Sequence, residues 1–193
     1  MDKTQKTQQK ILRAARTEFL DQGFSGARTQ AIADRAGVNK ALLHYHFGNK
    51  EQLFRKVLER ELIRLQDAFA ILNSEGLPYP KKLPQFSSAI RRIATREPGC
   101  IPFLLQAIRQ QPQHLPQPLE DLFSLDQFRA QIRAGMDHGF IAGNSPDTLI
   151  VHLLALALIV PVAGELIAAL TGQKGPPQFL DQLPKQINAW LAH

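Results

Sequence analysis

Apolar residues recur every three to four positions along almost the whole chain, and no stretch alternates apolar and polar residues long enough to suggest a strand. The pattern predicts an all-α protein. A first helix is expected over about residues 4–21, with Ile11, Ala15 and Phe19 on one face, Leu12 beside them and Gly23 as its C-terminal cap. Two short helices follow, near 29–36 and 40–47, parted at Gly37. The first of them turns Ile32, Ala33 and Ala36 inward. Asn39 stands where its side chain can accept a hydrogen bond from an otherwise unpaired amide of the second. Asn49 and Gln52 approximate a capping box, with Asn in place of the usual Ser or Thr. They open a long helix through Leu53, Phe54, Val57, Leu58, Leu62 and Leu65 to about Asn73.

The segment from Gly76 to Pro80 ends this run. Further helices are expected near 83–96, 101–111, 117–139, 145–172 and 177–192. Ser145, Pro146 and Asp147 read as a helix start: a capping hydroxyl, a proline in the first turn and an acid near the positive end of the dipole. Pro161 should kink the helix that follows. Residues 1–50 are expected to form a three-helix unit, the helix near 50–73 to connect, and 51–193 to form a larger helical domain.

Charge sharpens this division. The formal net charge is +6, and the first sixty residues hold 12 of the 23 Lys and Arg but only 6 of the 17 Asp and Glu. The rest of the chain is balanced, so one segment is suited to meet a polyanion. Cys100 is the only cysteine, which rules out an intrachain disulfide and a cysteine-built zinc site. The first residues carry charges and glutamines where a signal peptide needs an apolar run, so a cytoplasmic location is expected. Leu149–Leu170 is apolar enough to resemble a membrane span, but His152, Pro161 and Glu165 interrupt it and no basic cluster flanks it. A buried helix fits that composition, and no membrane association is expected.

The stretch Ala31–Phe47 carries the function. Two short helices around a tight turn at Gly37 have the spacing of a helix-turn-helix. Ala33 and Gly37 are small where the helices approach, and Ile32, Val38 and Leu43 supply contacts between them. Asn39, Lys40, Leu42, His44, Tyr45 and His46 are then free to face outward, polar groups toward bases and Lys or Tyr toward phosphates.

Over about residues 8–58 the chain resembles the DNA-binding domain of TetR-family regulators. The matching positions are Ile11, Ala14, Ala15, Phe19, Gly23, Phe24, Ile32, Ala33, Ala36, Gly37, Val38, Leu43, Phe47, Asn49, Lys50, Glu51 and Leu53. The resemblance implies an N-terminal helix-turn-helix domain and a C-terminal ligand-binding and dimerisation domain. It implies a homodimer on a partly palindromic double-stranded DNA operator, with a small-molecule effector that releases a repressor from DNA. The DNA-binding set is Arg28, Thr29, Gln30, Asn39, Lys40, Leu42, His44, Tyr45 and Lys50. Two of these depart from the family pattern. Arg28 replaces a common hydroxyl residue and is placed for a phosphate or a base, and His44 replaces a common tyrosine. For His44 and His46, DNA contact stands beside a solvated or intradomain role.

Self-association is expected through the helices near 145–172 and 177–192, packed against their symmetry mates. The resemblance places Cys100, Phe103, Gln106, Met136, Phe140 and His152 on segments that line ligand pockets in relatives. His152 is the sharpest of these, an ionisable side chain inside an apolar run; a dimer seam or a bond to a buried carbonyl are its other readings. Trp190 reads as packing. No cofactor or metal site is expected: the chain has no glycine-rich phosphate loop, no zinc-protease motif and no paired-cysteine spacing. Catalysis is not expected either, because nothing brings Cys100 to a histidine and an oxyanion donor. The competing reading is a helical interaction protein that no longer binds DNA.

Overall fold

A computed structural model describes residues 3–116, 123–141 and 145–172, and every regular element among them is helical. The elements are α1 (Lys3–Gly26), α2 (Thr29–Ala36), α3 (Lys40–Phe47), α4 (Lys50–Leu72), α5 (Tyr79–Arg96), α6 (Cys100–Gln110), a 3-10 turn (Pro112–His114), α7 (Asp126–Asp137) and α8 (Pro146–Thr171). The helix expected near 177–192, with Trp190, lies outside the described residues, as does the start of the one expected at 117. An N-terminal helix-turn-helix region is thus followed by a larger helical region.

Two compact units are formed, and they do not divide at residue 50. One comprises the chain up to Ile63 together with Gly99–Gln117; Arg64–Pro98 and the residues from Pro118 onward make the other. In the first unit Ile11, Ala15 and Phe19 of α1, Ile32 and Ala33 of α2, Leu43 of α3 and Leu53, Phe54 and Val57 of α4 are buried together with Phe103 of α6. Rings tie the chain-distant segments: Phe54 packs on Phe19 at 5.0 Å, on Phe103 at 5.5 Å and on His114 at 5.6 Å between centroids. Arg16 of α1 reaches Glu61 of α4 at 3.1 Å, both largely shielded from solvent. That pair sits beside the start of α6, where the Cys100 thiol faces the Glu61 carbonyl at 3.8 Å.

In the second unit α5, α7 and α8 pack through Leu83, Phe86, Ile90, Phe128, Ile132, Ile150 and Leu153. Lys82 is fully buried there, and its ammonium donates to the carbonyl of Leu72, the last residue of α4, at 2.6 Å. A cation at a helix C-terminus meets the negative end of the dipole and the unpaired carbonyls. Burial pushes the Lys82 ammonium below its ordinary range.

Three helix boundaries depart from the hydrophobic pattern for local reasons. α1 does not stop at Gly23: that residue takes the expected positive φ of 68°, but helical hydrogen bonding resumes and carries the element to Gly26. α5 begins at Tyr79, ahead of the expected 83, with Pro80 in its first turn and Pro84 inside. Pro80 costs little because the first amides have no intrahelical partner. α8 breaks near the expected place, but at Ala163 (φ −114°, ψ 15°), two residues after Pro161. Among the described residues no helix is long and apolar enough to cross a membrane.

Candidate nucleic-acid interface

The turn between α2 and α3 is built by backbone chemistry. Gly37 sits at φ 68°, ψ 37°, its N–H donates to the Asp34 carbonyl at 3.1 Å, and the Val38 N–H donates to the Ala33 carbonyl at 3.0 Å. This pair of bonds closes α2 in a left-handed C-cap that a side-chain Cβ would strain. Two residues later Asn39 begins α3, its Oδ1 accepting the Leu42 N–H at 2.7 Å. The Asn49 and Gln52 capping box is formed in both directions, at 2.8 and 3.1 Å. Glu18, which the hydrophobic pattern did not single out, holds the other end of α2. Its buried carboxylate accepts the Arg28 N–H at 3.3 Å and lies 3.6 Å from Arg35. A negative charge there also favours the positive end of the α2 dipole.

Leu43 is the one α3 side chain that is fully buried, so the helix presents most of its surface outward. Asn39, Lys40, His44 and Tyr45 are exposed, and Leu42 and His46 are half-buried. Tyr45 is the most open large apolar side chain of the unit, at 82 % exposure. With its Oδ1 committed to the cap, Asn39 keeps its amide donors for a partner, while Gln30 spends a donor on Asp34 at 2.8 Å. Arg28 is exposed beside the half-buried Thr29 at the start of α2. These residues share one unit and, apart from Lys50, lie on α2, α3 and the residues that cap them.

Lys50 is different. Its ammonium donates to the carbonyls of Ser25 and Ala27 at 3.3 and 3.2 Å and stands 4.9 Å over the Phe24 ring. It therefore ties the start of α4 to the end of α1, with one of its three donors left over. His46 lines an open groove of about 700 Å³ with Gln8, Phe47, Gln52, Arg55 and Lys56.

The six residues assigned to a ligand fall three in each unit. Cys100, Phe103 and Gln106 lie on α6 in the first unit, with Cys100 and Phe103 in its core. The second unit holds Met136 on α7, Phe140 just beyond it, 69 % exposed and stacked on His138, and an exposed His152 on α8. The second unit also carries an open groove of about 340 Å³ between α4 and α5, lined by charged side chains including Asp67, Arg92 and Arg96. Among the described residues no cluster of metal-ligating side chains occurs.

A small helix capped by asparagine, anchored by one leucine and open on its remaining faces, after a glycine turn, defines a helix-turn-helix DNA-binding protein. Residues 11–57 match the family described as bacterial regulatory proteins, tetR family. These residues carry a TetR-type DNA-binding domain, and the chain is a DNA-binding transcriptional regulator. It is 27 % identical over 184 residues to the HTH-type transcriptional repressor SCO4008 of Streptomyces coelicolor, covering 93 % of this chain and 92 % of that one. Over 55 residues it is 44 % identical to the HTH-type transcriptional activator FasR of Mycolicibacterium smegmatis, 28 % of this chain and 25 % of that protein. The fold is similar to that of a TetR family transcription regulator from Marinobacter aquaeolei VT8 (TM-score 0.73, 17 % identity, 97 % and 96 % of the two chains). It is likewise similar to that of the putative transcriptional regulator SCO4942 from Streptomyces coelicolor (TM-score 0.71, 23 % identity, 96 % and 98 %).

Proposed function

We propose that the protein is a homodimeric repressor that reads a partly palindromic operator with α3 and leaves it when a small molecule binds the second unit. The exposed face of α3 carries this reading. Asn39, Lys40, Leu42 and Tyr45 project from a short helix rigidly capped at its start, with Arg28, Thr29 and Gln30 at the head of α2. In a dimer the two α3 helices would enter successive major grooves about 34–36 Å apart. Lys50 contributes by holding the start of α4, with its remaining donor directed to a phosphate.

Self-association is assigned to α8, where Val151, Ile159, Val162, Leu166 and Leu170 are all exposed. An apolar row of that length is unusual on a face left to water. Repression is supported by the similarity to SCO4008, whose name describes a repressor. The effector is assigned to the second unit. The groove there, lined by Asp67 and Glu97 as well as Arg92 and Arg96, is the first place to look for it. A regulator of this kind acts on the chromosome, so the cytoplasm is its assigned location, and catalysis has no part in the mechanism.

The deciding experiment is selection of bound duplexes from a randomised pool, with Tyr45→Ala as the control. Enrichment of a partly palindromic site, abolished in the control, is the expected result. A folded dimer that enriches nothing at low salt would leave the interaction-protein reading in its place.

A further inference from the structure

We infer that His44 couples operator binding to proton uptake, because its fixed imidazole can meet a DNA phosphate only when protonated. The inference rests on the proposed role of α3 as the recognition helix. The Nδ1 of His44 lies 2.5 Å from the carbonyl oxygen of Gly48. A carbonyl oxygen only accepts, so Nδ1 carries a hydrogen in both charge states. In the neutral ring the single N–H is therefore used within the protein, and Nε2 presents a lone pair to solvent. A phosphate oxygen, itself an acceptor, is repelled by that lone pair. Adding one proton at Nε2 turns the same outward edge into a cationic donor, the kind that phosphate binds with a short, charge-assisted bond.

Position on the helix supports phosphate over base. The N-terminal residues of a recognition helix reach base edges, so the last turn of α3, where His44 lies, sits nearer the sugar-phosphate rim. The surrounding charged and titratable groups leave the imidazole available. α3 itself carries Lys40, Tyr45 and His46, α2 brings Asp34 and Arg35, and the start of α4 brings Lys50 and Glu51. Arg35 is held by Glu18 and Asp21, Asp34 by Gln30, and Lys50 by the carbonyls of Ser25 and Ala27. Among the described residues no carboxylate claims the Nε2 proton, which leaves a phosphate as its anion. Imidazole makes such an interaction conditional, since it is the side chain that ordinarily changes charge between about pH 5 and 8.

The test compares the full-length wild type with His44→Tyr and His44→Gln on the duplex enriched by the selection. Affinity is measured by fluorescence anisotropy from about pH 8 to about pH 6 at constant ionic strength. Each engaged imidazole should tighten wild-type binding by up to about tenfold per pH unit in the titrating range, and neither variant should show this increment. Calorimetry in two buffers of different ionisation enthalpy should find close to one proton taken up per protomer by the wild type and none by His44→Tyr beyond the background of other groups. Equal pH slopes in wild type and variants would overturn the coupling while leaving α3 as the reading helix. No binding by any of the three proteins at any pH would overturn the recognition-helix reading itself, and this inference with it.

Discussion

Replacing Leu43 with alanine tests whether α3 is held to its unit as described. Leu43 is fully buried and is the only α3 side chain that is. Removing its buried carbons forfeits their transfer free energy and leaves a cavity that neighbours fill only in part, together about 3 kcal/mol. With a urea slope of about 2 kcal/mol/M, the unfolding midpoint should fall by about 1.5 M at fixed protein concentration. The loss should be local before it is global, because α3 has no second fully buried anchor. In native-state hydrogen exchange the α3 amides should lose protection by about a hundredfold, since about 1.4 kcal/mol is a factor of ten. The core amides of α1, around Ile11 and Phe19, exchange through global unfolding and should lose protection by the same factor, from a higher starting level. A midpoint shift below about 0.3 M together with unchanged α3 exchange would refute the reasoning, because a buried leucine deletion in a close-packed core cannot be that cheap.

Lys40→Ala should weaken operator binding and reduce the slope of log affinity against log salt by about 0.9 for each phosphate that is no longer neutralised, measured by salt titration. An unchanged slope would mean that Lys40 does not neutralise a phosphate. Gly37→Ala should destabilise by about 1–2 kcal/mol in thermal unfolding, from the left-handed backbone alone. A Cβ there meets no neighbouring atom, so a larger loss would point to a cause other than strain. Lys82 predicts a pH dependence. Because burial lowers its folded-state pKa below the ordinary 10.5, the unfolded chain binds the proton more readily. The wild type should therefore gain stability relative to Lys82→Met as pH rises through the window between the lowered value and about 10.5. Urea unfolding of both proteins across that range should show the difference changing in that direction; a constant difference would remove Lys82 from the linkage.

The bounds of α2 and α3 were readable in the sequence because local chemistry fixes them. Gly37 supplies the left-handed residue, Asn39 the capping oxygen, and the apolar positions of two short helices have only one inward face. The family resemblance was legible for the same reason, since those local constraints leave a dense set of residues in register. Tertiary placement was not. Lys82 reads in a sequence as a surface cation, and only the proximity of the Leu72 carbonyl reveals a buried helix cap. His152 sits among apolar neighbours in the sequence, yet a helix turns each position by about 100°, and its direction opens to solvent. Lys50 matched an expected DNA contact by type, but two carbonyls at the end of α1 occupy most of its donors. The role of α6 was invisible as well, because nothing in its periodicity says which neighbour its apolar face will choose.

That choice bears on how this protein could be recombined. The chain leaves the first unit after Ile63, returns at Gly99 and departs again after Gln117, so the unit that carries α3 is assembled from two separate stretches of sequence. A graft that exchanges only the leading stretch for that of another regulator would bring a new helix-turn-helix against a foreign α6. The position now held by Phe54 would no longer be fitted to Phe103 and His114. Operator specificity in this chain is therefore transferable only as a two-part cassette, and single-crossover chimaeras should inherit a poorly packed reader along with the new address.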